Sequence, residues 1–275
     1  MATNYKTSVY TGITYRIIYF LLYKVMRYRY TEVIQNLSRS FPEKSYEEIK
    51  RIALEFYHHF SRLFAEIPVL MMLPRGRVAK RLVLEGAALV EQYQAEGRPV
   101  IIMLGHYGNW ECLSLLPALL PCRVYGVFKP LSNRFFDRLM KKIRSRFGLQ
   151  LLSMEEVPRH MLQRRQPPGA YIFVSDQSPP HCKHIVDFLH QPTSVITGTE
   201  RLARATNAVV LYAVLHKTKA CQWKMSLSLI TDEPVNTAPF EITHIFNARL
   251  ENDIRQRPAY WLWTHRRWKN NLSAI

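Results

Sequence analysis

Near Arg98 the sequence changes rhythm, and that change decides the expected fold class. Upstream, apolar residues recur at helical spacing. Downstream, short apolar β-rich runs take over: PVIIML (99–104), CRVYGVF (122–128), GAYIFVS (169–175), AVVLYAVL (208–215) and WKMSLSLI (223–230). Helical stretches lie between and after them, near 109–120, 133–147, 155–165, 198–206 and 240–256. Strands that alternate with helices pair in parallel, because each helix carries the chain back across a face of the sheet before the next strand begins. Runs that are apolar throughout suit strands covered on both faces. The expected fold is therefore α/β, a mostly parallel central sheet flanked by helices, with N-terminal helices ahead of it. WKMSLSLI alternates apolar and polar residues and is expected at a sheet edge.

The first third reads as helical. Ser45 stands three residues before Glu48, the spacing of a capping box, and Ile49, Ile52, Ala53, Phe56, Phe60, Leu63 and Phe64 then form one apolar stripe. These residues are expected in the core and carry no assigned chemistry. Ahead of them, ITYRIIYFLLYKVM (13–26) is apolar but broken by Arg16 and Lys24. Its unbroken run, 17–23, falls short of the ~20 residues a spanning helix needs, and no small-residue cleavage site follows it. Tyr15, Tyr19, Tyr23, Tyr28 and Tyr30 interleave with Arg16, Lys24, Arg27 and Arg29. Aromatic tips beside long cations suit the headgroup layer. The expectation is a helix lying in the membrane face; the alternative is a helix packed on the domain with a basic outer side. The chain divides into an N-terminal helical, membrane-associated region (1–95) and an α/β region (96–275), joined as one compact unit.

Charge narrows the partners. A net charge of +17 favours polyanions: an anionic bilayer, phosphorylated lipids, an acidic carrier protein or nucleic acid. The basic residues are spread widely and match no nucleic-acid motif, which makes nucleic acid the weaker reading. Cys112, Cys122, Cys182 and Cys221 are scattered without a CxxC pair, so zinc spacing is absent and free thiols are expected.

In open α/β sheets ligands bind beyond the carboxyl ends of strands. GHYGNWE (105–111) falls there, between the run ending at Leu104 and a helix that Asn109 can cap. Gly105 and Gly108 permit a sharp turn. His106 and Glu111 are expected to face each other across it. A carboxylate on one imidazole nitrogen fixes the tautomer and leaves the other nitrogen as a base for an alcohol. No Gly-x-Ser-x-Gly elbow and no HExxH occurs, which removes the usual serine-hydrolase and zinc-protease readings.

Five ordered blocks around this motif resemble the late lipid A biosynthesis acyltransferases (lauroyl and myristoyl types), within the lysophospholipid acyltransferase-like superfamily. GHYGNWE holds the superfamily's His-x4-Asp/Glu mark as His106 and Glu111. NLSRSFPEKS (36–45), FKPLSNRFFDRLMKKIRSRFG (128–148), VSDQSP (174–179), ITGTERLA (196–203) and YWLWTHRRWK (260–269) match the other blocks in order. The resemblance implies a glycerolipid acyltransferase-like fold and acyl transfer from an acyl-carrier-protein thioester to a hydroxyl of a phosphorylated glycolipid acceptor. It makes His106 the general base and Glu111 its support, with no metal and no organic cofactor. Substrate-binding positions carried over are Gly108, Asn109, Lys129, Asn133, Arg144, Asp176, Gln177 and Gly198. Backbone amides of Gly108 or Asn109 are candidate oxyanion donors, and Asp176 is expected to hold Arg144 or a turn. The implied place is the cytoplasmic face of the inner membrane, on an anionic surface, bound through the N-terminal helix. A glycerolipid or aminolipid acceptor with an acyl-CoA donor is the alternative within this chemistry, and a basic nucleic-acid- or membrane-binding protein without catalysis the alternative outside it. The chain departs from the family where Lys129 replaces an arginine before Pro130, losing a bidentate fork. It departs again at His190 in FLHQP, where relatives often carry glycine.

Overall fold

The computed structural model describes residues 12–130, 132–163, 167–178, 184–219 and 222–268. Residues 12–25 form a helical segment that ends in a π-helix at Phe20–Val25. Helices α1 (Tyr30–Ser40) and α2 (Tyr46–Met72) follow. The start of α2 is the expected capping box, with Ser45 accepting from the Glu48 amide and Glu48 accepting from the Ser45 amide. Next come β1 (Leu82–Glu85), α3 (Ala87–Ala95), β2 (Val100–Leu104), a 3-10 helix (Trp110–Ala118), β3 (Val124–Phe128) and α4 (Arg134–Ser145). The chain continues through β4 (Gln150–Ser153), α5 (Val157–Leu162), β5 (Ala170–Val174) and the hairpin of β6 (Ile185–Phe188) and β7 (Gln191–Ser194). It finishes with α6 (Gly198–Thr206), β8 (Val209–Lys219), β9 (Gln222–Thr231) and α7 (Glu241–Gln256).

The main sheet has the order β1-β9-β8-β2-β5-β3-β4, parallel throughout except where β9 folds back antiparallel on β8. This is the expected α/β architecture. Strand β2 is central, and all five of its residues are buried because both faces are covered. Ile101 and Met103 feed the core shared with α1, α2 and α7, whereas Val100, Ile102 and Leu104 feed the core under α3 and the 3-10 helix.

Three local expectations change. β9 is not the edge, because β1 pairs outside it. Its alternation records one fully buried face, carrying Trp223, Met225 and Leu227, rather than a position at the rim. β1 and β4 were not legible, since LVLE and QLLS are too short and too exposed to announce a strand; pairing with β9 and β3 makes them strands. β1 also shows that the N-terminal region contributes directly to the sheet.

The tyrosines of the N-terminal segment point inward. Tyr19 stacks on His58 at 4.1 Å between ring centroids, Tyr23 packs on Tyr57 at 5.1 Å, and the Tyr15 ring carries the Arg62 guanidinium at 4.8 Å. Tyr28 stacks on Phe60 and Tyr30 on Tyr57. The outward face is apolar instead: Ile13, Ile17, Phe20, Leu21 and Val25 are exposed. Among the described residues, no helix is long and apolar enough to cross a membrane. The tryptophans of the C-terminal block also turn inward, with Trp261, Trp263 and Trp268 all buried. Asn36 of α1 donates to the carbonyls of Trp263 and His265, so two sequence blocks from opposite ends of the chain meet. Cys122 is a free thiol and Cys112 is buried in the core; Cys182 and Cys221 lie outside the described residues.

At the β6–β7 turn Leu189 and His190 both take positive φ, 54° and 61°, the conformation a two-residue hairpin turn requires and glycine supplies most cheaply. The turn is held to α7, because the Leu189 amide donates to Glu251 and Arg255 donates to the His190 ring. His190→Gly is expected to be neutral or stabilising within about 1 kcal/mol, and His190→Val to cost about 1–2 kcal/mol, in thermal denaturation. An equal loss for both would mean that the Arg255 contact, not the backbone, holds the turn.

Candidate active site

The site follows from strand register. β2 and β5 are parallel neighbours with Leu104 opposite Val174, and the Ser175 amide continues the ladder to the Leu104 carbonyl at 2.9 Å. Two residues further on each strand stand His106 and Asp176. Asp176 Oδ1 accepts from His106 Nδ1 at 2.6 Å, and Oδ2 accepts from the His106 amide at 2.8 Å. Both carboxylate oxygens therefore grip one residue, fixing its backbone and its ring together. Trp261 Nε1 also donates to Oδ2, at 2.8 Å, and the Arg267 guanidinium donates to the Asp176 carbonyl. Asp176 is 3% exposed. Burial pushes its carboxyl up, but the His106 ring, hydrogen bonds from His106 and the Arg267 charge outweigh this and hold it well below the usual carboxylate range. Arg267 is itself buried, which brings its pKa down to about 10 against the pull of Asp176. It stays charged at neutral pH.

Gly108 carries φ +67°, and a Cβ there would sit 2.8 Å from Leu215, so the turn after His106 requires glycine. Its amide donates to the Tyr260 carbonyl at 3.1 Å, and Leu262 donates to the His106 carbonyl. The C-terminal block thus clamps the loop from above. Because the Gly108 amide is committed to Tyr260, it does not serve as the expected oxyanion donor. Asn109 caps the 3-10 helix by accepting from the Glu111 amide, as expected, while its side-chain amide donates to Glu66 at 2.5 Å. Asn109 is buried and faces the wall, not the cavity.

Glu111 corrects the expected pairing. Both of its oxygens are taken by Arg144 of α4, through Nε at 3.0 Å and Nη2 at 2.6 Å, a bidentate charge-assisted pair. The imidazole partner is Asp176 and the Arg144 partner is Glu111, whereas spacing paired His106 with Glu111, and Asp176 was expected to hold Arg144 or a turn. Distance along the chain favoured Glu111 for His106, but the parallel register brings a residue seventy positions away closer.

A cavity of about 760 Å³ opens beside the dyad. His106, Glu111, Lys129, Arg144, Gln177 and Gly198 line it, and most of the remaining wall is aliphatic or aromatic. With Nδ1 engaged, Nε2 is the ring nitrogen left for a ligand. Asn133 stands apart as the cap of α4, accepting from the Phe135 and Phe136 amides on the surface. Among the described residues no group of three or more His, Cys, Asp or Glu can hold a metal ion.

Behind the loop lies support from two residues that the sequence reading did not single out. Glu66 accepts from Asn109 and from Trp223 Nε1 at 3.1 Å, and His59 meets the Gly108 carbonyl at 3.3 Å. Both sit on the apolar stripe of α2, and a carboxylate and an imidazole on such a stripe were the available signal.

The model of the bacterial lipid A biosynthesis acyltransferase family matches residues 13–270, nearly the whole chain. The chain belongs to this family. It is 22% identical over 231 residues to the lipid A biosynthesis myristoyltransferase of Escherichia coli K12, covering 83% of this chain and 71% of that one. It is 23% identical over 264 residues to the lauroyltransferase of the same organism (93% and 84%) and 22% identical over 240 residues to its palmitoleoyltransferase (86% and 77%). The protein is thus an acyltransferase, and the His106–Asp176 loop lies within the matched span.

Burial holds the His59 pKa down to about 3, with its bond to Gly108 opposing and the charges of Lys217 and Arg62 assisting. The folded acyltransferase stays unprotonated at His59 while the unfolded chain takes a proton near 6.5, so acid favours unfolding across the window from about 6.5 to about 3. Chemical denaturation of the native protein is expected to show stability falling from pH 6.5 to pH 5, and His59→Phe to flatten that limb. An unchanged slope in the variant would remove His59 as its source.

Proposed function

We propose that this acyltransferase moves a fatty acyl chain from an acyl-carrier-protein thioester to a hydroxyl of a lipid A precursor, in late acylation of lipopolysaccharide. The observation that carries the reading is the His106–Asp176 pair on the wall of a largely apolar cavity. In the proposed cycle, His106 Nε2 takes the proton of the acceptor hydroxyl as its oxygen attacks the thioester carbonyl. A tetrahedral oxyanion forms, the C–S bond breaks, and the departing thiolate recovers the proton from the imidazolium. Asp176 holds the ring with Nδ1–H committed and stabilises the imidazolium while it exists. It acts through His106 and is a positioning residue. Burial of Asp176 keeps the pair in a low-dielectric wall, where that charge compensation is strongest.

Glu111 enters through Arg144. The bidentate pair fixes the guanidinium on the wall of the cavity, which Lys129 also lines, and these two cations can receive a phosphorylated acceptor or the phosphate of the carrier's prosthetic arm. Gln177 and Gly198 also line the cavity. The names of the relatives, myristoyl-, palmitoleoyl- and lauroyltransferases, support a fatty acyl donor. The exposed face of Ile13, Ile17, Phe20, Leu21 and Val25, flanked by Arg16 and Lys24, supports a segment that lies on an anionic bilayer without spanning it. A cytoplasmic carrier protein places that face on the cytoplasmic side of the inner membrane.

The test is transfer of labelled acyl groups from acyl carrier protein to a lipid A precursor in mixed micelles. His106→Ala is expected to lose a factor of ~10² or more in kcat. Asp176→Asn is expected to lower kcat with little change in KM, and Glu111→Gln to raise KM more than it lowers kcat, because Arg144 loses its anchor. Full activity in His106→Ala would sink the mechanism. Turnover with other lipid acceptors only would keep the mechanism and remove the lipid A assignment.

A further inference from the structure

A second cavity, of about 500 Å³, shares no wall residue with the first. Its volume lies within the ~300–1,000 Å³ of small-molecule sites. Four parts of the chain enclose it. The N-terminal segment contributes Tyr15, α2 contributes His59 and Arg62, and β8 contributes Lys217. The end of α7 and the 3-10 turn Pro258–Tyr260 close it with Arg257 and Tyr260. Arg62 and Arg257 are exposed whereas His59 and Ala259 are buried, so the cavity has both a mouth and a floor.

The floor is the support of the His106 loop. His59 stacks on Tyr260 at 4.7 Å between ring centroids and meets the Gly108 carbonyl, and the Tyr260 carbonyl accepts from the Gly108 amide. The wall is cationic. Arg62, Lys217 and Arg257 line it against one carboxylate, Glu55. Arg62 lies over the Tyr15 ring at 4.8 Å and Arg257 over the Tyr260 ring at 5.7 Å. Among the described residues neither guanidinium has a carboxylate within ion-pair distance. Like charges gathered around one space repel, and a bound anion relieves that repulsion. Two guanidinium forks and an ammonium are the donors that phosphate oxygens accept best. The acyl-transfer chemistry proposed above uses none of the three.

The surroundings of the mouth indicate where a phosphate would come from. Tyr15 turns inward to the cavity, whereas Ile13 and Ile17 beside it are exposed. A segment resting on a bilayer through that aliphatic face holds the neighbouring cavity at the level of the lipid phosphates. We propose that this cavity binds the phosphate of an anionic phospholipid through Arg62, Lys217 and Arg257, as a site separate from the substrate cavity. The choice of a lipid rests on the bilayer reading of the N-terminal segment given above; the recognition of the phosphate charge does not.

The experiment titrates the full chain, in non-ionic detergent, with monomeric dihexanoyl-phosphatidylglycerol, dihexanoyl-phosphatidylcholine and inorganic phosphate, and follows binding by calorimetry. Saturable binding of the phosphatidylglycerol is expected, tighter than that of either other probe. Arg62→Gln and Arg257→Gln are each expected to weaken it by ~10-fold or more, the loss of a hydrogen bond to a charged group. Arg62 also packs on Tyr15, and the Arg257 variant keeps the test decisive where Arg62→Gln unseats the N-terminal segment. The double variant Arg16→Gln, Lys24→Gln removes charge outside the cavity and should leave this binding unchanged. Equal weakening by that variant would assign the effect to general surface charge and overturn the site. Inorganic phosphate binding as tightly as the lipid would overturn the lipid source. A native chain that partitions onto phosphatidylglycerol vesicles but does not bind the monomeric lipid overturns the site and keeps the bilayer reading; the opposite pair of results supports the site and removes the bilayer reading.

Discussion

The parallel pairing of β2 with β5 is the contact on which the site depends. One strand delivers His106 and the other Asp176, and because both strands end at the same level, two residues of overhang bring the side chains to 2.6 Å. Nothing flexible intervenes. The ladder continues through Ser175 to Leu104, and the carboxylate then holds the His106 amide as well as its ring. A histidine fixed at both backbone and side chain is pre-organised for proton transfer, and the sheet core carries the entropic cost of that order. The central position of β2, with strands running off to either side, is where open α/β sheets place their ligands.

Beside Glu111, three further buried carboxylates tie the surrounding elements together, each satisfied by several donors. Asp176 joins β5 to the His106 loop and to the C-terminal block. Glu66 joins α2 to the same loop and to β9 through Asn109 and Trp223. Glu200 accepts from the Phe240 and Thr243 amides and the Thr243 hydroxyl, joining α6 to the start of α7. Burying a carboxylate is costly unless its lone pairs are filled, so each node tolerates little change in geometry. The result is a frame around a cavity, with the more exposed α4 contributing Arg144 to its wall.

Charge and apolar surface are distributed to match. The cations Lys129 and Arg144 line the cavity, and the exposed aliphatic face belongs to the N-terminal segment. The tyrosines that interleave with cations in that segment serve the interior, with Tyr19, Tyr30 and Tyr28 stacking on His58, Tyr57 and Phe60. Their phenol tips made them look suited to headgroups, but their rings are the larger surface, and α2 offers aromatic partners to cover it.

The strand–helix alternation after Arg98 was sufficient for the fold class, since apolar runs of strand length separated by helices leave few alternatives to a covered parallel sheet. The capping box of α2, the cap at Asn109 and the turn glycine at Gly108 were equally legible, because each is a local backbone requirement written within a few residues. His106 was found for the same reason, from its place after a strand and between glycines. Its partner was not. Glu111 lies five residues from His106 and Asp176 seventy, and only strand order and register decide which carboxylate arrives at the imidazole. The inward turn of the tryptophans, the roles of Glu66 and His59, and the strand character of LVLE and QLLS depend in the same way on what packs opposite each residue. Local chemistry is carried by neighbours in the chain and can be read there, whereas pairing and cavity shape are properties of surfaces that exist only once distant segments have come together.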